Sequence, residues 1–525
     1  MNVRVIEKLP VTESPAVSVN ISQLTVESLA NVASLAGPIE VFHVAFASAT
    51  ATKDKKAGFN PQNLGYFPSN FVTSESGILA VASSSKFTAK LGDLIEFYST
   101  TKDGSTLAEA VVGCGKLSEF KCSDAYTLSK TLAKAACKHN CKNAVLVLDQ
   151  LSVDLSEAIV VGFLNHISVD KRFKKDATTD YVLEGLHVVS SCLTDVAAFG
   201  ERCKIYAKAM HVSRELTSAP SNYANTISIS NYVNDKLSAL GLTVEVLGEE
   251  ECVARGMGSY LAVAQGSHYP PRFLHATYRG EGPVKAKIAL VGKGIMFDSG
   301  GYNIKSASSE IHLMKFDMGG MSAVFGAAEA IATLKPKGVE VHFISATCEN
   351  MVDSTSYRPG DVITASNGKT IEIINTDAEG RLTLADALVY AEKLGVDYIV
   401  DLATLTGGCI VALGFHYGGY FTNDEELNKR FVSILEKSGE LAWRLPLAKE
   451  YADCLESSVA DINNCNYTVK CSTISAALFL KEFVDSAKWL HWDIAGTAFE
   501  KSDARGTGYG VRTLVNLVLD LAEEK

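Results

Sequence analysis

The chain has 525 residues, 47% of them apolar and 21% charged, with a formal net charge of −11. That length suffices for two or three domains of roughly 100–200 residues with large cores, and the acidic balance disfavours nucleic-acid backbones and anionic membranes, which need clustered Lys and Arg. Nowhere do about 18 uncharged apolar residues follow one another, and MNVRVIEKLPVTESPAV lacks the apolar run and cleavage site of an export signal, so a soluble cytoplasmic protein is expected.

In the first third, strand-like runs (IEVFHVAFA at 39–47, NAVLVLD at 143–149, YVLEGLHVV at 181–189) alternate with helix-like ones (DAYTLSKTLAKAA, LSEAIVVGFLNHI). An α/β domain over residues 1–195 follows, without a recognisable chemical motif. Twelve cysteines are scattered singly from Cys114 to Cys471, which fits reduced thiols and not a disulfide framework. The densest pair, Cys137 and Cys141 in CKHNC, reads as the end of an amphipathic helix that stops at Asn140, not as a zinc site. The segment FGERCKIYAKAMHVSRELTSA has helical apolar spacing and stops before Pro220, which suggests a linker helix within 196–224.

From residue 225 to 525 the alternation is regular: KIALVG, MSAVFGAAEAIATLK, VEVHFISA, LTLADALVYAEKLG, VDYIVDLATL, then ISAALFLKEFV, WLHWDIAG and TLVNLVLDLAEE. Strands apolar on both faces and separated by helices predict an α/β domain whose largely parallel mixed sheet is covered by helices on both faces. The chain is thus expected to hold this larger C-terminal domain and a smaller N-terminal α/β one. Ligands in such sheets bind at the carboxyl ends of the strands.

Three segments read there as loops after strands combine charge with glycine. Lys293-Gly-Ile-Met-Phe-Asp298, with Lys305 beyond it, follows KIALVG; Asp317-Met-Gly-Gly follows IHLMKF; Asn375-Thr-Asp377-Ala-Glu379-Gly-Arg381 follows KTIEII. In an extended segment Asp377 and Glu379 point to one side. Four carboxylates (Asp298, Asp317, Asp377, Glu379) at one sheet edge repel unless cations compensate them, as divalent ions with oxygen ligands do. Taken singly, an aspartate after a strand is more often a turn or capping residue.

The residues NTDAEGR, VGKGIMFDSGG, MKFDMGG, CENM and RPGDVITASNGKTIE resemble the signature and neighbouring blocks of the leucyl aminopeptidases, cytosolic two-metal exopeptidases. The resemblance is continuous from about Val291 to Gly414, weaker towards the C-terminus, and limited to size and α/β pattern in the N-terminal third. It implies that Asp298 and Glu379 bridge two divalent metal ions, with Asp377 completing the tighter site and Lys293 and Asp317 the more exchangeable one. Zn²⁺ is the implied metal, with Mn²⁺, Mg²⁺ or Co²⁺ at the exchangeable position. Lys305 would donate to the developing oxyanion, and Arg381 would hold a bicarbonate ion that relays a proton. Met314, Thr404, Leu405, Gly407 and Ala476 would line an apolar pocket for the first residue of a short peptide. The resemblance also implies a homohexamer.

Asp-Ser-Gly-Gly also surrounds the nucleophile of trypsin-like proteases, but those are all-β chains with a placed His and Asp, so Ser299 is expected to be a turn residue. His312 and His342 are expected to be structural. One departure stands out: where many relatives carry a glycine-rich loop before AALFLKEF, this chain has NCNYTVKCSTIS at 464–475, which leaves the outer pocket and Ala476 open. Two competing readings are a two-metal phosphoesterase, which needs further Lys or Arg around the site, and a DNA-binding role, which an acidic chain without a basic stripe disfavours.

Overall fold

The computed structural model describes residues 6–9, 18–22, 41–48, 89–100, 106–148, 151–167, 170, 172–175, 183–190 and 192–523, so the first residues of the runs expected at 39 and 181 lie outside it. Two compact units emerge: Met1–Thr12, Ala209–Leu435 and Glu440–Lys525 form one, Glu13–Lys208 and Glu436–Gly439 the other. The division falls inside the helix Val196–Ser218, in the stretch expected to link the domains.

In the smaller unit, strands β1 (Ser18–Ser22), β2 (Val41–Ser48), β3 (Leu94–Thr100), β4 (Thr106–Gly115), β5 (Asn143–Val147) and β6 (Gly185–Val189) form one sheet in the order β1-β6-β5-β2-β4-β3. Among the described residues, only the β3–β4 pair of this sheet is antiparallel. Helices α1 (Cys122–His139) and α2 (Val153–Ile167) belong to this unit. Asn140 ends α1 in the left-handed conformation (φ 52°), which asparagine tolerates better than most residues.

Beyond α3 (Val196–Ser218), the larger unit runs through α4 (Thr226–Ala239), β7 (Thr243–Leu247), α5 (Glu249–Ala254), α6 (Gly258–Ala264), β8 (Arg272–Arg279), β9 (Ala286–Gly292), β10 (Gly294–Asp298), α7 (Gly319–Leu334), β11 (Val339–Asn350), β12 (Val362–Thr364) and β13 (Thr370–Glu372). It continues with α8 (Gly380–Lys393), β14 (Tyr398–Ala403), α9 (Gly407–Leu413), β15 (Gly418–Thr422), α10 (Glu425–Ser438), β16 (Ala442–Arg444), β17 (Ile462–Asn463), α11 (Ser472–Lys481), β18 (Lys488–Asp493) and α12 (Val511–Glu523).

Its main sheet has the order β16-β15-β18-β14-β9-β11-β8-β7, with β10 paired to β11. The centre, β18-β14-β9-β11, is parallel, as the two-sided apolar strands predict. One face packs Ala289, Val291, Ile344 and Ile399 against Leu382, Leu388, Phe479 and Leu480 of α8 and α11. On the other, Leu402 approaches Gly510 beside Ala323 of α7. Two expectations need correction. IHLMKF is a 3-10 helix, Ile311–Phe316, with only Leu313 buried, so its apolar and polar residues do not face opposite sides of a sheet. KTIEII contributes β13 to a separate sheet with β12 and β17, which periodicity cannot distinguish from a strand of the main sheet.

His342 is structural, as expected. Its Nδ1 lies 2.9 Å from His275 Nε2, its Nε2 lies 3.1 Å from Glu340 Oε1, and His275 Nδ1 meets the Tyr390 hydroxyl at 3.0 Å. Burial, then the neighbouring His342, pushes His275 down to about 4 from 6.5. A depressed histidine stabilises the fold above its unfolded value, and that stability is lost as pH falls towards the folded one. His275→Gln should therefore flatten the loss of unfolding free energy between pH 7 and about pH 4.5 by about 2 kcal/mol, read by urea titration at both pH values. An unchanged slope contradicts this assignment.

Candidate active site

The central strands are parallel, so their carboxyl ends share one edge. Lys293 follows β9, Asp298 and Asn350 close β10 and β11, and Thr404 follows β14. GIMFD, expected as loop, is largely the strand β10, paired in parallel to β11. The first turn of α7 presses onto these ends: Met321 N–H donates to the Lys293 carbonyl at 2.9 Å, and a Cβ at Gly320 would stand 2.0 Å from the Leu402 carbonyl oxygen. Only glycine permits that approach, which carries Asp317 to Lys293.

Asp377 and Glu379 do not lie in an extended segment. Asp377 sits in a turn closed by Ala378 N–H to the Asn375 carbonyl (3.2 Å), and Glu379 is helical (φ −79°, ψ −36°) at the start of α8. Their carboxylates converge because the turn and the first helical turn wrap around one point.

All five residues expected to hold metal, and Lys305, gather here. Lys293 Nζ lies 2.8 Å from Asp317 Oδ2, 2.8 Å from Glu379 Oε1 and 2.9 Å from the Thr404 carbonyl oxygen. Lys305 Nζ lies 2.8 Å from Asp298 Oδ2 and 2.5 Å from Asp377 Oδ1. Oxygen atoms of Asp298, Asp317 and Glu379 fall within 4.8 Å of one another, the spacing a shared cation needs, and these three with Lys293 are buried. Asp377 is the open side, its side chain 31% exposed.

Four carboxylates face two ammonium groups, leaving two negative charges uncompensated. Glu379 Oε2 is buried without a hydrogen-bond partner. Burial, then Asp298 and Glu379, pushes Asp377 up to about 7; burial also raises Asp298 and Asp317. Burial would raise Glu379 too, but Lys293 and Lys305 outweigh it and hold it down. For both lysines burial favours the neutral amine, but the surrounding carboxylates prevail and keep them protonated. Hard oxygen donors with unmet charge fit divalent cations. Arg381 is buried beside them; one of its Nη donates to the Asn464 carbonyl at 2.8 Å, while its Nε has no partner.

Residues 211–515 match the model of the cytosol aminopeptidase family, catalytic domain, and residues 72–177 match the family's N-terminal domain. A probable cytosol aminopeptidase of Cyanothece sp. is 44% identical over 78% of this chain and 84% of its own length. That of Picosynechococcus sp. is 43% identical over 85% and 91%. The solved structure of a tomato leucine aminopeptidase variant superposes with a TM-score of 0.84 at 34% identity, covering 98% of this chain and 99% of its own. The chain belongs to the cytosol aminopeptidase family. It is an aminopeptidase, a hydrolase. The N-terminal match exceeds the size and alternation legible there by eye.

Three residues position the cluster in this aminopeptidase, and two of them, Asn350 and Asn464, escaped sequence reasoning. Asn350 donates from Nδ2 to Asp298 Oδ1 (2.8 Å) and to the Thr376 carbonyl (2.9 Å). Thr404, expected in the pocket, donates its hydroxyl to Asp317 Oδ1 at 2.8 Å. Asn464 accepts at Oδ1 from the Ile374 and Asn375 amides and donates from Nδ2 to the Asn375 carbonyl. Asn350 lay within CENM and Asn464 within the departing loop, but neither pattern specifies a contact. Ser299 is a turn residue: its hydroxyl donates to the Asn350 carbonyl at 2.7 Å and accepts from Gly301 N–H at 3.1 Å.

Of the other expected pocket residues, Met314 and Leu405 are half-buried, Gly407 is exposed at the start of α9 and Ala476 is fully buried in α11. His312 is exposed in the 3-10 helix. A cleft of about 560 Å³ lined by Phe297, Glu349 and Met351 contains none of the charged cluster.

A Cβ at Gly380 would stand 2.6 Å from Lys293 Nζ. Alanine suits a helix better than glycine by about 1 kcal/mol, so Gly380→Ala is expected to fold yet displace the lysine. kcat/KM for amino-terminal hydrolysis should fall about a hundredfold, the scale of an ångström-sized displacement, with the melting temperature preserved. Wild-type kinetics in this variant would show that the contact does not position Lys293.

Proposed function

We propose that the chain is a two-metal aminopeptidase that removes leucine or another apolar first residue from short peptides. The observation that carries this reading is the buried triad Asp298, Asp317 and Glu379, with Asp377 and Lys305 at its open side. Asp298, Asp317, Asp377 and Glu379 would hold two divalent cations, and Lys293 would join them as the neutral amine, giving up the proton that the carboxylates hold on it here. Zn²⁺ is proposed, with Mn²⁺, Mg²⁺ or Co²⁺ at the second position. When bound, the ions supply Lewis acidity and a water acidic enough to be nucleophilic near neutral pH.

The chain's own groups do the rest. Lys305 donates to the carbonyl oxygen as negative charge develops on it, an interaction stronger in the transition state than in the bound substrate. Arg381, with its unpartnered Nε, would hold a small anion such as bicarbonate, which supplies a proton acceptor. Asp317 is proposed to attract the substrate's ammonium together with the second cation. Met314, Leu405 and Gly407, with Thr404 and Ala476 behind them, are proposed to shape the first-residue pocket; the leucine in the tomato neighbour's name supports an aliphatic preference. The assembly is proposed as a homohexamer in the cytoplasm, on family membership and the relatives' description as cytosolic. Among the described residues no helix is long and apolar enough to cross a membrane.

Hydrolysis of a fluorogenic leucine amide tests the reading. Chelation should abolish turnover and Zn²⁺ or Mn²⁺ restore it, whereas Lys305→Ala should lower kcat about a hundred- to a thousandfold with KM nearly unchanged. Activity that survives exhaustive chelation sinks the metal dependence; an unaffected kcat in the variant removes Lys305 from the reaction.

A further inference from the structure

The charged cluster is closed on most sides and open on one. Lys305 and Asp377 are its most exposed side chains, at 14% and 31%, whereas Lys293, Asp298, Asp317 and Glu379 are buried. Gly300 (φ 88°) lets the segment Tyr302-Asn303-Ile304 close against this opening: a Cβ there would stand 2.4 Å from the Asn303 carbonyl oxygen, 2.9 Å from Asp377 Oδ1 and 3.0 Å from Lys305 N. Asn303 is pinned to the catalytic turn, its N–H donating to Thr376 Oγ1 (2.9 Å) and its Oδ1 accepting from Thr376 N–H (2.8 Å). Its Nδ2 faces the Tyr467 hydroxyl at 3.5 Å.

Tyr467 lies in the loop that departs from the family's usual glycine-rich sequence. Asn464 anchors that loop to the catalytic segment: its N–H donates to the Glu372 carbonyl (3.0 Å), its Oδ1 accepts from Ile374 N–H (2.8 Å) and its carbonyl accepts from Arg381 (2.8 Å). Burial, then Cys465 and the Asp377 carboxylate, raises the Tyr467 phenol, so the ring stands within the field of the open-side carboxylate. Tyr302, Ile304 and Tyr467 are all exposed, at 46%, 60% and 58%. Large apolar side chains gathered in the open beside a charged site mark a surface that another molecule covers.

The occupant follows from the direction in which the site reads a peptide. In the catalytic reading above, on which this inference rests, the substrate's ammonium goes to Asp317 and its first side chain to the pocket beside Thr404, both buried. Lys305 meets the carbonyl oxygen, so the chain beyond that carbonyl must leave past Asp377, along Asn303 and Tyr467. We propose that Tyr467, with Ile304 and Tyr302 beside it, forms a subsite for the second residue of the substrate and makes this aminopeptidase favour peptides in which that residue is aromatic or large and aliphatic. The Tyr467 ring supplies a rigid apolar face whose hydroxyl is steered by Asn303. The second side chain is unchanged on the way to the transition state, so its contacts lower KM more than they raise kcat.

The test measures kcat and KM of the full-length protein for Leu-Phe-Gly, for Leu-Gly-Gly and for leucinamide, which has no second residue. Expected is a kcat/KM roughly fivefold to tenfold higher for Leu-Phe-Gly than for Leu-Gly-Gly, carried mainly by KM. Tyr467→Ala should bring that ratio close to one, and Tyr467→Phe, which keeps the ring, should retain most of it. Each value is divided by the same variant's kcat/KM for leucinamide: damage to the fold or to the charged cluster lowers all three substrates together and leaves the ratio between the peptides unmoved. Equal kcat/KM for the two peptides in the wild type, the wild-type ratio in Tyr467→Ala, or its loss in Tyr467→Phe as well overturns the subsite and leaves the catalytic reading standing. A wild type that cleaves none of the three overturns the catalytic reading and the subsite with it.

Discussion

Carboxylates packed against one another at the edge of a buried sheet are the constraint around which the larger unit is built. Asp298, Asp317 and Glu379 are nearly inaccessible to water, so their mutual repulsion is screened little. Lys293 and Lys305 reach into the cluster and each touches two carboxylates. Removing either ammonium would leave buried charge unpaired, which costs far more than the pair contributes. Much of the surrounding backbone serves this arrangement: glycines at 320 and 380 let a helix and a lysine approach more closely than any side chain would allow.

Holding the carboxylates in place is a separate task from supplying them. Asn350 and Thr404, each at a strand end, fix the orientation of Asp298 and Asp317, while Asn464 fixes the turn that presents Asp377 and Glu379. Outer groups of this kind determine whether ligands meet a cation with good geometry. They also explain why the site lies at strand ends: each strand is locked by its neighbours, so a residue one position beyond it has little freedom.

The architecture was legible because its central strands are apolar on both faces and its helices show helical spacing; VEVHFISA lies entirely within β11 and LTLADALVYAEKLG coincides closely with α8. The charged site residues were legible through motif resemblance, supported by the physical oddity of so many acids beside glycines. Local conformation was not. IHLMKF alternates like a strand but bridges two elements too briefly to pair, and the Asp377–Glu379 spacing suits both an extended chain and a tight turn. Nor were the positioning residues, because an asparagine that bonds backbone groups distant in sequence leaves no periodic trace: Asn464 meets Asn375 across 89 residues. Thr404, named for a pocket, also turns its hydroxyl and carbonyl to the charged cluster, a role its sequence context does not specify.

Equilibrium dialysis against Zn²⁺ or Mn²⁺, followed by elemental analysis of the retained protein, tests most directly that this charge cluster exists to hold two cations. The account predicts about two ions per chain, and about one for Asp317→Ala because that residue serves only one of the two positions. A chain that retains no ion, or an Asp317→Ala variant that binds as many as the wild type, would contradict it.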